Sequence, residues 1–179
     1  MRSFRRLTLV LSCLVCVALL RAQKQQHEPL TSAQIEQIRE AGIDPVERLK
    51  LYTKFLNEHV DSIKTLTPRP HSGARVLRMD TELQNLTALM DELGSNLDQY
   101  SERKADIRKA LKPLPEATQR WLGVLHGIPS EPGFELSLKE AIESGQDLTK
   151  QASRLLDEQT TYFNIHKDER GQDRAEPRQ

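Results

Sequence analysis

From Val76 to Leu111 the chain places Val76, Met79, Leu83, Leu86, Met90, Leu93, Leu97, Tyr100, Lys104, Ile107 and Leu111 in alternating steps of three and four. Ten of these eleven positions are apolar, which makes a heptad seam sustained over five repeats. The spacing predicts one helix of ~55 Å at 1.5 Å per residue. A helix that long cannot bury its stripe alone, so partner helices must cover it. Gly94 interrupts the predicted helix beside the seam at a cost of ~1 kcal/mol relative to Ala, which marks a close crossing or a kink. Pro113 ends the element.

Four further helical patterns surround this one. Leu30-Thr31-Ser32-Ala33-Gln34 opens the first, with Thr31 or Ser32 as its cap, Thr31 and Gln34 as a capping box, and Gly42 as the residue that closes it. Asp44-Pro45-Val46-Glu47 opens the second: Asp44 caps, Pro45 suits the first helical position, and Glu47 completes a capping box. That helix is expected to run to about Leu66, with Leu49, Tyr52, Leu56, Val60 and Ile63 on its apolar face. A short helix is expected from Pro115 to His126 around Trp121, Leu122 and Leu125. A final one is expected from about Phe134 or Ser137 to about His166. Ala141, Gly145 and Ala152 give that last helix a small-residue face for a close neighbour. No alternating strand pattern occurs. The predicted fold is all-α, an elongated antiparallel helical bundle with coiled-coil-like packing. The second, third and last helices lie side by side in it, and the two short ones cap the ends.

The first 22 residues read differently. Arg2, Arg5 and Arg6 precede an uncharged run from Leu7 to Leu20, and Ala22 offers a small residue before a cut. As a helix the run reaches only ~21 Å, short of a bilayer core of ~30 Å. A signal peptide is therefore expected at 1–22, cleaved after Ala22, with no membrane anchor left behind. The Arg5-Arg6 pair is followed by polar Thr8, which favours the general secretory route over the twin-arginine one. Lipidation at Cys13 is disfavoured because the apolar lead from Leu7 to Ser12 is short. Residues 23–30 are expected to form a disordered linker, 31–166 the bundle, and 167–179 a disordered charged tail. Export to a periplasm or the exterior follows from the leader.

Removing the leader changes charge and chemistry. Its four basic residues (Arg2, Arg5, Arg6 and Arg21) have no acidic counterpart, so a chain with 26 basic and 26 acidic residues becomes one of net charge −4. That balance disfavours nucleic acid as a partner. Cys13 and Cys16 are the only cysteines, so the mature chain has neither disulfide nor thiolate.

Candidate chemistry is sparse. Of the histidines at 27, 59, 71, 126 and 166, His59 and His126 have no carboxylate or second histidine three or four residues away, and His166 has Tyr162 and Phe163 on its N-terminal side. The Glu-x-x-His and His-Glu-x-x-His signatures are absent, and no metal, cofactor or catalytic residue is assigned. Asp91-Glu92, Glu131 with Glu135, and Asp157-Glu158 read as solvated helix faces. Ser101-Glu102-Arg103-Lys104 matches Ser-x-x-Lys without its companion motifs. Arg103, Lys104, Arg108, Lys109 and Lys112 read as cations complementing the end of the long helix. The sequon at Asn85 lies on a packing face. Trp121 and Tyr162 would form a small apolar pocket if they met at one end of the bundle.

Leu30-Thr31-x-x-Gln34 resembles the Leu-Thr-x-x-Gln motif of the small periplasmic chaperones and envelope-stress proteins related to Spy, over five residues and in a single copy. The resemblance implies an exported, cysteine-poor, all-helical dimer. The leading expectation is a non-enzymatic exported protein that acts through protein–protein contact, with a protein partner or itself as a homodimer. Its expected interaction seam is Leu86, Met90, Leu93, Leu97 and Tyr100. The alternative expectation is a periplasmic chaperone or envelope-stress sensor with an apolar concave face.

Overall fold

The computed structural model describes residues 28–171. The expected signal peptide, its cut after Ala22 and Cys13 lie outside them. All regular structure in the described residues is helical: α1 (Ser32–Glu40), α2 (Pro45–Leu66), α3 (Gly73–Glu102), α4 (Arg108–Leu111), α5 (Leu114–His126), α6 (Glu135–Ile165) and a 3-10 turn (Lys167–Glu169). No helix among them is long and apolar enough to cross a membrane.

Local chemistry sets the starts. The Thr31 hydroxyl accepts from the Gln34 N–H at 3.3 Å while the Gln34 side chain accepts from the Thr31 N–H at 2.8 Å, a complete capping box. Gly42 takes φ 61° just beyond α1, where a side chain would be strained. Asp44 caps α2 through the N–H groups of Val46 and Glu47. The Glu47 side chain does not reciprocate as expected but pairs with Lys50 at 2.6 Å.

The expected single helix from Val76 to Leu111 breaks at Glu102. Lys104 adopts φ 58°, its N–H bonds to Ser101 O, and the Ala105 N–H reaches back to Tyr100 O at 2.9 Å. That pair of bonds is a Schellman ending with lysine where glycine is usual. The turn is held from outside. Buried Gln159 of α6 accepts from the Ile107 N–H at 3.1 Å and donates to Ala105 O at 2.9 Å. The seam nonetheless stays apolar to its end, because Ile107 and Leu111 are fully buried beyond the break.

Directions follow from cross-helix contacts. Tyr52 reaches Glu92, His59 reaches Glu82 and Arg75 reaches Leu66 O, so α2 and α3 run antiparallel. Thr118 meets Thr149 and Leu122 packs at Gly145, so α5 and α6 run antiparallel. Asp80 pairs with Ser137, Asp91 with Ser144 and Gly94 with Gln151, so α3 and α6 run parallel. The all-antiparallel arrangement expected from the sequence therefore fails for that pair. The cause is α5, which returns the chain along the bundle and packs on α2 and α6 as a wall rather than an end cap. A Cβ at Gly145 would lie 3.0 Å from Leu122 Cδ2, so the small-residue face of α6 does admit a close neighbour. Gly94 likewise gives space to the Gln151 side chain, whose amide donates to Gly94 O at 3.0 Å.

Both ends of the described residues pack on the bundle. Leu30 is buried and Pro29 O is engaged by His59. Residues 167–171 also pack on the bundle: Arg170 Nε donates to Phe163 O and the Gly171 N–H to Asp106.

Candidate functional site

The five seam residues lie inside the bundle. Leu86, Leu93 and Leu97 are fully buried, Met90 is 1% exposed and Tyr100 is 3% exposed. Helices α2 and α6 flank α3 and cover them. The expected interaction seam is thus internal packing, because partner helices from the same chain satisfy its need for apolar cover. Asn85 of the sequon is buried too.

Apolar exposure occurs elsewhere. Ile43, Leu77, Leu136 and Ile165 are each at least two-thirds exposed. Leu77 stands one turn before Asp80 on α3, and Leu136 immediately precedes Ser137 on α6. Asp80 accepts from the Ser137 hydroxyl at 2.5 Å, so both leucines belong to the same end of the parallel α3–α6 pair. An open groove of about 570 Å³ lies there, lined by Asp80, Gln84, Phe134, Leu136 and Lys139 among others. Gly133 lines it and packs closely on α3: it takes φ 105°, and a Cβ there would come 2.6 Å from Val76 Cγ1. Further along the pair, a groove of about 360 Å³ carries Asp91, Asp98 and Asp147 with Arg154 beside them.

Charge is organised at the two ends. At one, buried Arg75 donates to Leu66 O and Thr67 O at the end of α2, and to both oxygens of Glu131. His71 Nδ1 also lies 2.9 Å from Glu131. Hydrogen bonds from His71 and then Arg75 hold the Glu131 carboxyl below the usual carboxylate range. At the other end, Arg108 holds Asp106 below that range through paired bonds of 2.8 and 2.7 Å, against the opposing effect of burial.

The expected basic cluster is absent from the last turn of α3. Three of its members instead lie over aromatic rings: Arg103 over Tyr100 at 5.0 Å, Lys104 over Tyr162 at 5.4 Å and Arg108 over Phe163 at 4.7 Å. Tyr162 stacks on His166 with centroids 4.2 Å apart. The expected Trp121–Tyr162 pocket does not form. Contacts of Thr118 and Leu122 place Trp121 level with Gln146 of α6, ~24 Å along the helix from Tyr162. Trp121 instead donates to Asn57 Oδ1 at 2.8 Å.

His59 is the one histidine with both ring nitrogens engaged among the described residues. Nδ1 lies 2.9 Å from Glu82 Oε2 and Nε2 lies 3.2 Å from Pro29 O. No group of three or more His, Cys, Asp or Glu among the described residues is placed to hold a metal ion. The Leu-Thr-x-x-Gln residues serve the start of α1, with Leu30 buried and Gln34 Nε2 donating to Glu58 at 2.9 Å. No known protein family, curated protein or solved structure matches the chain.

Proposed function

We propose that this chain is an exported, non-enzymatic helical protein that works by holding another protein, or a second copy of itself, at the end of the α3–α6 pair. The observation that carries the reading is the exposure of Leu136 in an open groove, with Leu77 exposed on α3 one turn before Asp80 of that groove. Helices normally turn leucine inward, and here Leu136 faces solvent in a groove that also holds polar Asp80, Gln84 and Lys139. An apolar spot rimmed by polar groups suits protein contact. The leader from Arg2 to Ala22 supports export.

Sedimentation of the purified protein beside a Leu77→Glu/Leu136→Glu variant tests this. Self-association lost in the variant supports the homodimer form. If the protein is monomeric, slowed aggregation of an unfolded client, weakened in the variant, supports the chaperone form instead. A monomer without client activity, with the variant indistinguishable from it, would overturn the proposal.

A further inference from the structure

A neutral imidazole donates through one nitrogen only, whichever tautomer it takes. His59 faces two acceptors: the Glu82 carboxylate of α3 at 2.9 Å and the Pro29 carbonyl at 3.2 Å. Both bonds can be made at once only by the doubly protonated ring. His59 is 14% and Glu82 16% exposed at the side chain, so water has little access to replace a lost bond.

The Pro29 bond matters because of what it anchors. Pro29 leads directly into α1, and α1 touches no helix but α2 among the described residues. Its other ties are the burial of Leu30 and Ile38, the partial burial of Ile35 and the Gln34–Glu58 hydrogen bond. A segment with so few anchors belongs to the low-stability end of the structure. The charged groups around the latch are Glu82 from α3 and Glu58 from α2, the latter already shared with Gln34 and Lys54. Glu28, which precedes Pro29, and Arg78 one turn before Glu82 are exposed.

We infer that residues 29–40 form a strap whose docking on α2 is gated by protonation of His59. The charged ring holds the strap down, and loss of its proton frees Pro29 and loosens α1, uncovering Leu30, Ile35 and Ile38. This does not rest on the α3–α6 groove being a binding site.

The test is amide hydrogen exchange of the purified protein by NMR between about pH 5 and about pH 8, the range in which histidine charge changes. Exchange is expressed as protection so that its own pH dependence cancels. Losing one charge-assisted bond predicts roughly a tenfold drop in α1 protection as pH rises, with Phe55 and Leu56 in α2 unchanged. His59→Gln, which puts one donating nitrogen in place of two and carries no charge, is expected to show loose α1 at both ends of the range. Intact protection in α2 and α3 reports that this variant still folds. Equal α1 protection across the range in the parent protein, or an unchanged pH dependence in His59→Gln, would overturn the inference.

Discussion

Arg75 and Glu131, 56 residues apart, meet through two hydrogen bonds of 2.8 Å, and the guanidinium that makes them is also the cap of α2. One buried cation thereby ties the α2–α3 turn to the loop that launches α6. Its position explains why α6 can start beside the start of α3 and run parallel to it.

Replacing Arg75 by Ala is expected to cost about 2 kcal/mol in a urea unfolding experiment, since its hydrogen bonds to Glu131 and to the Leu66 and Thr67 carbonyls are lost. For Glu131 the pH dependence is the sharper measurement. Its folded carboxyl titrates below the unfolded one, so its contribution is present above the unfolded carboxylate range and is lost as pH falls through the folded value. The Tm difference between the parent protein and Glu131→Gln should therefore shrink on acidification.

Leu93 and Leu97 are core residues, and truncation of Leu93 to Ala is expected to cost about 2–5 kcal/mol. Denaturant unfolding measures it. A soluble, fully stable Leu93→Glu/Leu97→Glu variant would contradict the burial described above.

At the end of α3, Gln159→Leu removes the partners of the Ile107 N–H and the Ala105 carbonyl, both in buried surroundings. The expected loss is about 2–4 kcal/mol. Lys104→Gly relieves the left-handed backbone but gives up the contact over Tyr162. The two effects, each of about 1 kcal/mol, nearly cancel. Lys104→Val keeps the strain, loses the contact and should be clearly less stable than Lys104→Gly.

Tyr52 donates to Glu92 at 2.6 Å, and burial followed by that carboxylate pushes its hydroxyl up to about 12. A raised value means stability that is full below the free tyrosine range near ~10 and is lost as pH climbs toward the folded value. Tyr52→Phe should be about 1 kcal/mol less stable at neutral pH and should show a smaller alkaline loss. Thermal melts of the two proteins across alkaline pH check this.

The candidate site was largely illegible in the sequence. Leu77 and Leu136 stand off the regular seams, and a lone leucine in a helix does not announce whether it faces core or water. Their common location depends on Gly133 and Ser137 meeting α3, contacts between segments more than fifty residues apart. The role of Arg75 was equally hidden, since its partners are carbonyls and a loop carboxylate rather than neighbours on its own helix.

The chain itself determined which stretches coil and which of their faces turn inward. Thr31 with Gln34, Asp44 with Pro45, Gly42 and the three-four spacing from Val76 act within a turn or two, so they can be read locally. Only the tertiary structure decided the break at Lys104, the parallel course of α3 and α6, and the burial of the seam by the chain's own helices. An apolar stripe gains nearly the same free energy from a neighbour running either way. The choice fell to contacts such as Gln159 with Ala105 and Arg75 with Glu131, which exist only once distant segments have come together.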